Sequence, residues 1–216
     1  MRVKREDRGT YNFMLSFGNV VFVGFPVLSA LYGDDIIFFA SICSMPFNIL
    51  AYSVGIILIS GKGVRTGLNL KMLLNPAMVS VIVALLLFFF HIRLPAFFCE
   101  AAGALGNMVI PGAMLLIGVT LGGASLKDMV KGGRVYLVCL IKLVLSPVLV
   151  WLVFRLFIHD ELYLGIMVVS AAMPSAVITN MLSMEYGGNV EAGSQGVFMT
   201  TLISLVTIPL MVYVLL

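Results

Sequence analysis

The same phrase occurs twice in this chain, each time inside an apolar run that closes on Tyr-Gly. The first copy reads Gly24-Phe25-Pro26-Val27-Leu28-Ser29-Ala30-Leu31-Tyr32-Gly33. The second runs from Met173-Pro174-Ser175-Ala176 to Met184-Glu185-Tyr186-Gly187-Gly188. Proline has no amide hydrogen, and its ring collides with the preceding turn, so both runs are expected to kink or unwind around residues 22–27 and 172–176. At membrane depth, irregular backbone survives only where it is buried in protein or lines a cavity.

Composition places these runs in a membrane. Hydrophobic residues make up 61% of the chain and charged residues 11%, against roughly 25% charged in a soluble domain. Apolar runs between polar breaks predict an all-α integral membrane protein with spans at 11–32, 36–59, 72–92, 98–121, 135–157, 162–185 and 192–216. Two interrupted spans in corresponding positions mark the expected solute site of a carrier. Basic residues are scattered singly between spans, which speaks against nucleic-acid binding. Cys43, Cys99 and Cys139 form no metal-ligand or redox spacing and read as small buried hydrophobes. No nucleophile–base pair, phosphate loop or metal cluster is visible, so neither an enzyme nor a cofactor is expected.

Charge sets the orientation. Arg2, Lys4, Arg5, Arg8, Lys62, Arg65, Lys71, Lys127, Lys131 and Arg134 fall on one side, and only Arg93 and Arg155 on the other. The basic side is expected to be cytoplasmic, with the N-terminus of this chain inside and its C-terminus outside. A basic opening before an apolar run also resembles a signal peptide. Glu6 and Asp7 dilute it, however, and the run is long and interrupted.

Polar groups collect near the breaks. The first span brings Ser16, Gly18 and Asn19 ahead of Gly24 and Pro26; the sixth brings Pro174, Ser175, Thr179 and Asn180. Span four adds Asn107 and Pro111, and span seven adds Ser194, Gln195, Thr200, Thr201, Ser204 and Thr207. A bare amide or hydroxyl in hydrocarbon costs several kcal/mol, so these groups are expected to face one another or a wet cavity. For Thr200, Thr201 and Thr207 a bond back to their own helix competes with that role. Half-helix N-termini at the breaks would offer free amides and a positive dipole end, which suits a carboxylate. Lys142 is the one basic residue inside a span. Its stem either snorkels to the interface or turns inward to pair with an anion or a carbonyl; the sequence leaves both open. No carboxylate pair lies in mid-span.

These residues resemble a known family. Gly18-Asn19 followed by Phe25-Pro26 and Tyr32-Gly33 is similar to the first crossover helix of the auxin efflux carrier family, which includes plant PIN-type carriers and bacterial malate and malonate permeases. Asn107, Pro111 and Gly118 resemble its seventh helix. Met173-Pro174 through Gly188, and Thr200-Thr201 through Pro209, resemble its last two. The resemblance implies a bile-acid-symporter-like fold of ten helices in two inverted five-helix repeats, with broken helices crossing at the centre. Residues 1–59 then correspond to the last two helices of the first repeat (first crossover 11–32). Residues 60–71 form a cytoplasmic loop, and residues 72–216 a complete second repeat (second crossover 162–185). Seven of the ten helices are expected in this chain, three being absent from its start. Where PIN carriers have a second proline five residues on, this chain has Thr179.

The expected function is secondary active transport of a small organic anion, a malate-like or auxin-like carboxylate, by alternating access in the plasma membrane. Asn19, Gly24, Pro26, Asn107, Pro174, Thr179 and Asn180 are the expected substrate-binding residues, with Lys142, Pro111 and Gln195 in support. The expectation is that half-helix amides, Asn19 and Asn180 hold the anion rather than a dedicated basic residue. The partners are the anion and the lipid bilayer, and a homodimer is compatible with this class. The competing reading is a truncated, non-transporting fragment that packs with a partner.

Overall fold

The computed structural model describes residues 5–61, 76–122 and 133–216. Within them the chain forms helices α1 Arg5–Ser16, α2 Val20–Tyr32, α3 Ile36–Ile59, α4 Pro76–Phe89, α5 Ala96–Gly122, α6 Gly133–Phe154, α7 Glu161–Ala172, α8 Ile178–Tyr186 and α9 Val190–Leu215. The sole bridge of extended backbone among the described residues joins Gly18 to Ser175. Among these helices α3, α6 and α9 are long and apolar enough to cross a membrane; α2 and α7 are apolar but shorter, as halves of interrupted spans should be. The basic segment at 62–71 and all but the last two residues of 123–134 lie outside the described residues.

The second interruption falls where Pro174 predicts it. Met173 is extended (φ −65°, ψ 144°), the conformation a following proline imposes, and helix resumes only at Ile178. The first interruption does not fall at Pro26. It lies at Phe17-Gly18-Asn19, and Pro26 sits exposed within continuous helix. The reason is a widened turn. Val20–Gly24 is π-helical, with the Phe25 amide bonding the Val20 carbonyl five residues back. A π-turn just before a proline relieves the ring clash with the preceding turn, so the missing donor costs the helix little. α6 repeats the arrangement: Ile141–Leu145 is π-helical and Pro147 follows. A third π-turn, Ala51–Gly55, lies in α3.

Tyr-Gly ends both half-helices. Gly33 (φ 86°) and Gly187 (φ 77°) take left-handed backbone at the C-terminal caps of α2 and α8, where a side chain would be strained. Tyr32 then packs on α7 at Gly165, whose missing side chain leaves room for the phenol.

α1 is held by close backbone approach. A side chain at Gly9 would overlap the Leu58 carbonyl of α3. One at Gly55 would overlap the Phe13 ring, and one at Gly196 the Met14 sulfur. Phe13 and Met14 are fully buried. Between membrane helices, such small-residue contacts supply packing that the hydrophobic effect cannot. In the first half of α1, Thr10 Oγ1 accepts from the Asn189 amide (3.0 Å), and Asp7 accepts from Asn189 Nδ2 (2.7 Å). Asn189 also caps α9, its Oδ1 accepting from the Ala192 amide (2.9 Å).

A crossing of two interrupted spans

Phe17-Gly18-Asn19 and Pro174-Ser175-Ala176 pass each other antiparallel. The Asn19 amide donates to the Pro174 carbonyl (2.7 Å) and the Ala176 amide to the Phe17 carbonyl (3.0 Å), with Gly18 opposite Ser175. Backbone that leaves a helix inside a membrane must find other partners, and here it does. In the last turn of α1, the Phe13 carbonyl accepts from the Phe17 amide (2.8 Å) and the Met14 carbonyl from Ser175 Oγ (3.2 Å). The Leu15 carbonyl accepts from Lys142 Nζ (3.3 Å). The Ser175 amide donates to Thr200 Oγ1 (3.1 Å), whose own proton goes to the Gly196 carbonyl (2.7 Å). Thr200 is thus both bonded to its own helix and part of the crossing. Thr201 only back-bonds, to Val197 (2.7 Å), and the Thr207 hydroxyl is buried with no partner among the described residues.

Two cavities flank the crossing. One of about 140 Å3 is lined by Gly18, Asn19, Phe22, Asn48, Tyr52 and Ala176, among others. The first residues of α2 and of α8 both border it, so two helix N-termini converge on one space. Asn19 is 4% exposed, and its side-chain amide has no hydrogen-bond partner among the described residues. The other cavity, about 260 Å3, is lined by Ser16, Ser44, Lys142, Ser146 and Ser170 with apolar neighbours; Val20 and Phe47 border both. A larger cavity of about 490 Å3 lies at the span ends, between Tyr32, Trp151, Arg155, His159 and Glu161. It is remote from the irregular backbone.

The expected site residues divide into three groups. Asn19 and Pro174 stand at the crossing, and Gly24 packs beside it against Met173. Thr179 and Asn180 are buried in α8 and already bonded: Thr179 Oγ1 donates to the Ala176 carbonyl (2.5 Å), and Asn180 Oδ1 accepts from Ser194 Oγ (2.8 Å). Pro26, Asn107 and Pro111 occupy exposed positions and border none of these cavities; Gln195, partly buried on α9, borders none either. The sequence reading missed Asn48 and Tyr52. Asn48 was visible as an amide in an apolar span two residues after Pro46, the same signal that singled out Asn19.

The chain belongs to the membrane transport protein family, the auxin efflux carrier family that its motifs resemble: the family's model, described as "Membrane transport protein", matches residues 64–212. It is 26% identical over its whole length to an uncharacterized transporter of Methanocaldococcus jannaschii, 71% of whose length is covered. It is also 26% identical, over 89% of its length, to an uncharacterized transporter of Methanothermobacter thermautotrophicus, covering 63% of that protein. It is therefore a membrane transport protein and not an enzyme.

Proposed function

We propose that this chain forms the crossover core of a secondary carrier that moves a small organic anion by alternating access. The antiparallel crossing at Gly18 and Ser175 carries the reading. It brings two half-helix N-termini and the Asn19 side-chain amide, which has no partner among the described residues, to one cavity, and that chemistry suits a carboxylate. The reading includes the bile-acid-symporter-like architecture, with residues 72–216 as one five-helix repeat and residues 1–59 as the end of the other. Transport follows if the helices on either side of the crossing rock about it and open the cavity to each face in turn. In liposomes loaded with unlabelled carboxylate, the protein should drive saturable counterflow of the labelled solute. Dicarboxylates and indole acids form the panel, and no counterflow of any of them would refute the reading.

The proposed orientation puts the basic segments 62–71 and 123–134 in the cytoplasm, because ten basic residues against two set the bias. A cysteine at Asp34 or Asp160 should react with an impermeant thiol reagent on intact cells, while one in 123–134 should be shielded. Labelling of the 123–134 segment from outside would reverse the orientation.

A further inference from the structure

Lys142 lines the cavity of about 260 Å3. The side chain is 3% exposed, so it does not snorkel to the interface. Its Nζ reaches the Leu15 carbonyl (3.3 Å) at the broken end of α1, and would lie 3.4 Å from a Cβ on Gly18. An ammonium has three protons to donate, and this carbonyl takes one. No carboxylate pairs with it among the described residues, and none of the ten acidic residues lies in mid-span. A buried charge left in this state is expensive, several kcal/mol per ion, unless something else meets it.

The cavity wall carries polar groups for such a partner. Ser16, Ser146 and Ser170 line it, and their hydroxyls have no hydrogen-bond partner among the described residues. Buried Ser44 adds a fourth hydroxyl, which donates to the Ser41 carbonyl (2.8 Å) and can still accept. Two open ammonium protons and three open hydroxyls surround a space with no acceptor of negative charge. The volume falls below the roughly 300–1,000 Å3 of drug-sized ligand pockets, so the occupant is small.

We propose that this cavity is a carboxylate-binding subsite in which Lys142 pairs directly with the anionic group of a small solute and Ser146 and Ser170 donate to its oxygens. The proposal rests on the carrier reading for its substrate class, and it revises the expectation that the carrier dispenses with a dedicated basic residue. It also explains how an anion is chosen over a neutral molecule of the same shape. The half-helix amides donate to any acceptor, whereas an ammonium without a counter-charge rewards a full negative charge.

The test is anion-dependent stabilisation of the purified protein. The probes are acetate, butyrate, succinate and benzoate, each compared with its uncharged amide. At least one carboxylate should raise the unfolding midpoint where its amide does not. Lys142→Met should weaken that binding roughly 10- to 150-fold, the range for a lost hydrogen bond to a charged group, and Lys142→Arg should restore it. A purely structural cap on the Leu15 carbonyl would give neither the amide discrimination nor the anion-specific rescue. Counterflow reads the carrier function and carboxylate-specific stabilisation reads this subsite, so failure of one and failure of the other are separable. Should Lys142→Met not fold, the Ser146→Ala/Ser170→Ala double variant should still weaken binding about fivefold or more. The proposal is overturned if no probe stabilises the protein. Equal stabilisation of Lys142→Met, or of the double serine variant, also overturns it.

Discussion

Asn19→Ala is expected to weaken solute binding by the carrier roughly 10- to 150-fold, about 1.5–3 kcal/mol for an amide that pairs with a charged group. The side chain is buried at the crossing and borders the cavity where α2 and α8 begin. It makes no hydrogen bond to another described side chain or carbonyl. Removing it therefore strips no partner from the fold, and the loss should appear in transport at unchanged expression and unchanged melting temperature. Asn180→Ala provides the contrast. Its Oδ1 already accepts from Ser194, so that change leaves a buried hydroxyl without one of its acceptors and should reduce stability as well. Initial rates of counterflow over a range of solute concentrations separate the two. An Asn19→Ala carrier with wild-type apparent affinity would move the site elsewhere.

Gly9→Leu is expected to abolish the folded protein, and Gly9→Ala to lower its melting temperature. Two effects oppose each other at this position. Alanine in place of glycine favours a helix by up to about 1 kcal/mol. Against this, a Cβ at Gly9 would run into the Leu58 carbonyl oxygen and press on the Ile59 backbone. Those are backbone atoms of α3, not the end of a mobile side chain, so the whole helix pair must separate. Overpacking costs typically 1–3 kcal/mol, and here it would also pull Phe13 from its fully buried place beside Gly55. The clash wins. Thermal unfolding in detergent reads the alanine variant, and the monodisperse fraction on size exclusion reads the leucine variant. A Gly9→Ala protein melting at or above wild type would show that α1 and α3 are less closely apposed.

The membrane class and the limits of the apolar helices could be read from the sequence, because hydrocarbon demands long runs without charge. α3 and α6 begin or end within a few residues of the expected limits. The position of the first break could not be read from Pro26 alone. A proline perturbs a helix locally, and a π-turn can absorb that perturbation, as it does before Pro26 and before Pro147. Gly18-Asn19 was the better signal, since both residues give up helical backbone easily. The direction of Lys142 was equally out of reach, because a four-carbon stem reaches either way. It was settled by the Leu15 carbonyl, 127 residues away in sequence. Asn107 is the opposite case: an amide in an apolar run is a sound signal for a polar environment, yet it stands exposed on α5 and lines neither cavity at the crossing.

A disulfide across the crossing would fix the two breaks to each other. Gly18 and Ser175 face each other as an antiparallel pair whose flanking amides carry the hydrogen bonds. Such a pair has its Cα atoms about 4.5 Å apart, inside the roughly 4.4–6.8 Å that a disulfide spans. With Cys43, Cys99 and Cys139 replaced by alanine and a protease site placed within 62–71, Gly18→Cys/Ser175→Cys should cross-link under mild oxidation and hold the two cleavage fragments together until reduced. Pro26→Cys/Ser175→Cys, displaced about 9 Å along α2, should not. Efficient linkage of the Pro26 pair with none at Gly18 would contradict the account, putting the break at the proline and the crossing where this structure has continuous helix.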